Sequence, residues 1–227
     1  MRPRSLITSS HAASHIDART AITTPLRPDA PISENSIGAA DERSSVKGKA
    51  AGKGDRGATA LADGVRVSKS SARVVALGAV DELNAALGVV RAAAVPESLR
   101  EHLASLQRDL LALGANLARP LTTTAGASAE KARWSEERVE RIERLLEAGE
   151  TQLPPLRNFI LPGGSPSAAA LQWARAVCRS AERAVVELAE EETLDPAALS
   201  YLNRLADLLF ALAREENQRQ GVADETW

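Results

Sequence analysis

Gln172, Arg175, Arg179 and Glu182 follow one another at steps of three, four and three, which places all four on one face of a helix. Guanidinium groups one turn apart can clamp phosphate oxygens or pair with a carboxylate, for which Asp81 is a candidate. The plainer alternative is a solvated, salt-bridged face. Asn203, Asp207, Phe210 and Arg214 make a comparable mixed face further along. A second group, Gly52-Lys-Gly-Asp-Arg-Gly57, fits the dinucleotide-binding pattern G-x-G-x-x-G letter for letter. That chemistry also needs a hydrophobic strand before the glycines, a helix opening on them and an acid about 20 residues later. None is present, and no Gly-Lys-Ser/Thr follows to make a Walker loop. What remains is a basic glycine segment. It can bring backbone amides and the charges of Lys53, Arg56 and Lys69 to an anion, or it can be a solvated linker.

Nucleophilic catalysis by a side chain has no constellation here. Cys178 is the only cysteine and has no histidine partner; with Trp173 it reads as a packing residue. One cysteine and three histidines also exclude an internal disulfide and make a Cys- or His-based metal site improbable, and no protein metal ligand is assigned. Formal charge is −2, so no global basic field points to nucleic acid. Positive charge is local: residues 46–75 hold seven Lys or Arg against Asp55 and Asp63. No apolar run reaches the roughly 18–20 residues of a membrane span, so a chain without a membrane partner is expected.

The elements that must position these residues are helical. Aromatics make up 3% of the chain while Ala and Leu abound, a balance that suits a bundle packed by small and aliphatic side chains. The first pattern runs from about Ala72 to Ala94, with Leu77, Val80, Leu83, Leu87 and Val90 on one stripe and Asp81, Asn84, Gly88 and Arg91 on another. The second, from about Glu97 to Ala118, carries Leu99, Leu103, Leu106, Leu110, Leu113 and Leu117 at alternating fours and threes. Ser135 opens a shorter third helix that Gly149 suits as a stop. Ser165-Pro166 and Asp195-Pro196, each an N-cap followed by proline at the first helical position, open the fourth and fifth, which end near Glu192 and Arg219. The fold class is therefore all-α, a five-helix bundle. Residues 1–45 read as a disordered tail, 46–71 as a basic glycine-rich loop, 72–219 as the bundle and 220–227 as a flexible tail. Arg2 and Arg4 without a nearby acid faintly resemble a transit peptide, so the expected compartment is the cytoplasm, or an organellar matrix if the tail is such a signal.

Four blocks, taken in order, resemble the trimeric ATP:cob(I)alamin adenosyltransferase family over roughly residues 50–217. They are Gly54-Asp-Arg-Gly57 with Arg66-Val-Ser-Lys69; Val80-Asp-Glu-Leu-Asn84; Asn158-Phe-Ile-Leu-Pro-Gly-Gly-Ser165 leading into Arg175-Ala-Val-Cys-Arg179 and Ala181-Glu-Arg183; and Tyr201-Leu-Asn-Arg-Leu-Ala-Asp207. The resemblance implies a ferritin-like homotrimer with active sites between subunits. It implies transfer of the 5′-deoxyadenosyl group of ATP to the cobalt of reduced cobalamin, with release of triphosphate and with Mg²⁺ as cofactor. It also brings with it a flavoprotein reductase and an adenosylcobalamin-dependent mutase as partners. Ala51, Gly52, Lys53, Gly54, Asp55, Arg56, Gly57, Thr59, Ala60 and Lys69 match the nucleotide loop. Arg179, Glu182, Arg183 and Asn203 match the helical nucleotide contacts, Asp81 and Arg175 an intersubunit ion pair, and Phe159 the apolar group that displaces the corrinoid's lower axial ligand.

The chain departs from the family pattern at Lys53 and Ala58, where threonine is usual, at Arg56, where lysine or aspartate is, at Asp63, often glycine, and at Ser180, usually arginine. Loss of two hydroxyls and one guanidinium weakens the case for tight ATP binding. It opens a second reading, a non-catalytic corrinoid carrier or regulatory trimer of the same fold. A purely structural bundle would leave the glycine loop and residues 158–165 without a purpose.

Overall fold

Periodic apolar residues build five helices, and the computed structural model describes residues 54–119 and 134–227. Expectations for the tail 1–45, for Ala51, Gly52 and Lys53, and for the loop after Pro120 lie outside those residues. A hairpin comes first: β1 (Ala58–Ala60) pairs antiparallel with β2 (Arg66–Ser68), with Thr59 opposite Val67. The helices are α1 (Ala72–Ala92), α2 (Glu97–Leu117), α3 (Glu136–Glu150), α4 (Pro166–Glu191) and α5 (Pro196–Arg219). The hairpin is the one sheet among the described residues. Its signal is the Asp63-Gly64 turn, where the Val65 amide donates to Asp63 Oδ1 at 3.0 Å.

The apolar stripes become the core. Leu171, Ala174, Cys178, Ala181, Val185 and Leu188 of α4 are fully buried, as are the six leucines of α2 or nearly so. α4 lies centrally, packed on α1 and α5; α2 packs on α1 and α3 on α5. Trp173 departs from its expected place, because it sits off that stripe and is 50% exposed.

Polar ties hold the layers in register. Tyr201 on α5 is buried, donates its hydroxyl to Asp109 on α2 at 3.0 Å, and meets Trp134 edge-on at 5.2 Å between ring centroids. Arg141 and Arg138 of α3 pair with the same carboxylate. Burial first, and the Asp109 charge second, push the Tyr201 phenol well above its ordinary range, so it remains a donor. Arg73, buried at the start of α1, bonds the Glu192 carboxylate and the Leu117 carbonyl, joining three helix ends.

Both proline-marked starts are capped as the sequence indicates. Ser165 Oγ accepts from the Ala168 amide at 3.2 Å and Asp195 Oδ1 from the Ala197 amide at 3.0 Å. Ser135 stands at the N-cap of α3 without a side-chain hydrogen bond, and that helix runs one residue past Gly149. Residues 220–227, expected as a flexible tail, instead turn back and hydrogen-bond to residues 159–161.

Candidate functional site

α4 serves two regions of the molecule from neighbouring turns. At the first, Arg175 lies over the Phe210 ring of α5, 5.2 Å from its centroid. Together they line a cavity of about 680 Å³ that also takes in Asn158, Phe159, Gln172 and Trp227. Phe159 is 80% exposed, an apolar ring with little protein around it at the mouth of an apolar-walled hollow. Cavities of this size accept a ligand of drug size or a sizeable part of a larger one.

The segment carrying Phe159 is fixed from beneath. Asn217 of α5 accepts from the Ser165 amide at 2.9 Å and donates to the Gly163 carbonyl at 3.3 Å. Gly164 has φ +101°, a conformation open to glycine, and a Cβ there would run into the Asn217 side chain. Gly164 thus allows the loop to descend onto α5 and rise straight into α4.

At the second region, one turn on, Arg179 pairs with Glu182 at 3.8 Å, and Glu182 Oε1 accepts from Asn203 Nδ2 of α5 at 3.0 Å. Arg183 reaches the Ser180 hydroxyl at 3.0 Å. The α4 stripe is thus partly a salt-bridged face, as the plainer reading has it. It still presents two outward guanidiniums: Arg179 is half exposed and its ion pair is loose.

Gly54, Asp55, Arg56 and Gly57 form the turn that enters β1, with the Gly57 amide bonding the Gly54 carbonyl at 3.3 Å. Thr59 and Ala60 lie in β1. Lys69 follows β2; its amide bonds the Gly57 carbonyl at 2.8 Å and its ammonium sits beside Gly54. The glycine turn and Lys69 are thereby one unit, where the residues alone left open an anion-binding segment or a solvated linker. Among the described residues no hydrogen bond or ion pair connects Lys69 with Arg179 or Asn203.

Asp81 is exposed on α1 and has no partner among the described residues, while Arg175 is taken up with Phe210. The chain by itself therefore does not bring these two together. Cys178 is buried beneath the polar stripe, and burial, followed by the Glu182 charge, pushes its thiol up to about 12. It is no nucleophile at neutral pH. Among the described residues no group of three metal-ligating side chains stands together.

Sequence reasoning missed Trp227. The only signal was an isolated aromatic in an otherwise polar run, and its position depends on the chain reversing after α5.

Comparison with known proteins identifies the family and the fold. The cobalamin adenosyltransferase family model matches residues 49–216. A protein of Cupriavidus metallidurans described as cobalamin adenosyltransferase is 45% identical over 175 residues, spanning 77% of this chain and 90% of that protein. The corrinoid adenosyltransferase PduO of Citrobacter freundii is 42% identical over 164 residues, 72% of this chain and 48% of that one, so the match spans about half its length. A solved structure of a PduO-type ATP:corrinoid adenosyltransferase from Lactobacillus reuteri, a phenylalanine-to-alanine variant complexed with cobalamin and ATP, overlays with a TM-score of 0.70. It is 31% identical and the overlay covers 77% of this chain and 96% of that one. With the match running from the glycine turn almost to the end of α5, the chain belongs to the cobalamin adenosyltransferase family.

Proposed function

We propose that this protein is an ATP:corrinoid adenosyltransferase that moves the 5′-deoxyadenosyl group of ATP onto the cobalt of cob(I)alamin, releasing triphosphate. The observation that carries the reading is an exposed Phe159 at an apolar cavity whose Arg175 lies one turn of α4 before Arg179 of the Arg179–Glu182–Asn203 cluster. Each half suits one substrate.

Cobalt in the Co(I) state holds the electron pair that forms the Co–C bond, and the C5′–O bond breaks with its electrons leaving on the triphosphate. The protein needs no nucleophile of its own for this. Its tasks are to place the two substrates in line and to hold the charge that develops on the leaving group. Arg179, Arg183 and Asn203 take the phosphates from the helical side. Lys69 and the Gly54–Gly57 turn take them from the hairpin side, together with Ala51, Gly52 and Lys53. Phe159 occupies the lower axial position of the corrinoid: a ring without a lone pair excludes both a nitrogen donor and water, which makes reduction of the Co(II) precursor easier.

Mg²⁺ is bound most readily through one or two carboxylates and substrate phosphates. With no clustered ligands among the described residues, the donor set fits an ion that arrives on the triphosphate, with Glu182 the carboxylate beside it. Asp81, without a partner among the described residues, and Arg175 would form an ion pair between subunits of a homotrimer. Exposed Val75 and Val89 on α1 supply apolar surface for such an assembly. A flavoprotein that delivers the electron to Co(II) and a mutase that accepts the product are the partners this chemistry calls for.

The test is direct. Purified protein incubated with ATP, Mg²⁺ and chemically reduced cobalamin should give the absorption spectrum of the light-sensitive Co–C product. Corrinoid binding without product would instead establish the carrier reading, which Gly52-Lys-Gly in place of the usual threonine-bearing stretch favours.

A further inference from the structure

Of the residues spaced along one face of α4, three are engaged within the chain. Arg175 lies over Phe210 at 5.2 Å, Arg179 pairs with Glu182 at 3.8 Å, and Glu182 also accepts from Asn203 at 3.0 Å. Gln172 is the exception: it is 6% exposed, and its side-chain amide makes no hydrogen bond among the described residues. Neither amide atom is sealed off, so the small open part of the residue includes its polar end. A buried amide without a protein partner costs stability, and most buried polar groups in folded chains have one. Gln172 stands in the second turn of α4 beside the buried Leu171 and Ala174, where an apolar side chain would pack without that cost.

The residue lines the cavity whose walls include Phe159, Arg175 and Phe210. Of the other polar side chains in those walls, Arg157 and Asn158 are exposed and Arg175 is spent on the Phe210 ring. Solvent serves the exposed pair. Gln172 alone in this wall holds a donor and an acceptor at a buried place. In an apolar pocket, a few placed polar groups are what fix a ligand's orientation. A ligand that displaces water from this amide must replace both kinds of bond or bind more weakly.

We propose that Gln172 is a specificity-determining residue that reads a neutral primary amide on the edge of the corrinoid. The corrin ring of cobalamin carries acetamide and propionamide side chains. One of these set against Gln172 exchanges two hydrogen bonds, donating its N–H to Oε1 and accepting from Nε2 at its carbonyl. A carboxylate at the same place accepts from Nε2 but turns a second acceptor toward Oε1. Arg175, the cation nearest on α4 in the same cavity, pulls the other way and favours an acid, so the preference for an amide belongs to Gln172. The inference rests on the corrinoid reading of the cavity, and it gives the residue no part in binding ATP.

The test compares the full chain with Gln172→Met, which keeps the length of the side chain and removes both polar atoms, and with Gln172→Leu. KM is measured for ATP, for cob(I)alamin, and for reduced cobalamins with one peripheral amide hydrolysed to the acid, taken isomer by isomer. Gln172→Met should raise the cob(I)alamin KM about tenfold, the loss of two neutral hydrogen bonds, with the ATP KM unchanged. The unsubstituted protein should disfavour one acid isomer by about tenfold, and both variants should lose that discrimination. Because the amide has no bond within the chain to lose, the thermal midpoint of each variant should equal or exceed that of the unsubstituted protein. A lowered midpoint with equal shifts in both KM values would make Gln172 a packing residue and overturn the proposal. So would a cob(I)alamin KM unmoved in both variants, an unsubstituted protein indifferent to every acid isomer, or discrimination that survives in Gln172→Met. A variant that sediments at a lower mass than the unsubstituted protein would give the amide to a contact between copies, which also overturns it. Each of these results leaves the adenosyltransferase reading intact; an unsubstituted protein that takes up no corrinoid would overturn both.

Discussion

Arg179 stands half in solvent with a single loose ion pair, and that is a useful state for the phosphate-binding role proposed for it. A guanidinium already locked in a short bidentate pair would have to break it; this one has donors free to turn outward. Asn203 is the quieter partner, holding Glu182 at 3.0 Å so that the carboxylate remains beside the arginine without neutralising it fully. Arg179→Ala should therefore lower kcat/KM for ATP roughly 10- to 100-fold, as expected for a charge-assisted hydrogen bond, and leave the cob(I)alamin KM in place. Arg179→Lys should recover only part, because an ammonium cannot offer two parallel donors. Steady-state kinetics with each substrate varied in turn decides it; an unchanged ATP dependence in the alanine variant would remove Arg179 from the nucleotide site.

The helices were legible in the sequence because each carries an apolar stripe at helical spacing and, for α4 and α5, a start written in two residues. Asp195 does more than its capping role indicates: besides the Ala197 amide it accepts from the Trp134 amide at 3.0 Å, so it also docks the entry to α3 onto α5. Asp195→Ala should cost about 1–2 kcal/mol of stability in urea titration, the upper range for a lost cap, whereas Asp195→Asn should cost less. What the sequence did not reveal follows from the same physics. The hairpin β1–β2 is three residues a side, too short for period-two alternation to register, and only its Asp-Gly turn advertised it. Trp227 reaches its cavity by contacts 64 to 68 residues apart in the chain, and no local pattern encodes such a return. Trp173 was misplaced for a simpler reason: a tryptophan on a helix invites burial, but its position falls beside the stripe that α4 buries.

At the scale of the whole molecule, the chain holds its two candidate half-sites on one helix but keeps Asp81 unpartnered and Lys69 unconnected to Arg179. The homotrimer proposed above, with its active site shared between copies, would account for both. The protein should sediment at about three times the mass of the chain. Asp81→Ala and Arg175→Ala should each lower turnover, roughly 10- to 1000-fold if the pair is buried on assembly, and the double variant should lose little more than either alone. Additive losses, or a monomer with full activity, would rule out the shared ion pair. The ends of the helices carry a further implication. The carbonyls that close α2 would ordinarily be left to water, yet Arg73 takes the one at Leu117 and the Ala62 amide, 3.3 Å away, takes the one at Ala118. Anyone diversifying the hairpin to change nucleotide preference is thus also editing how a distant helix terminates, and a selection for new substrates would be paying in heat tolerance for changes that never touch the core.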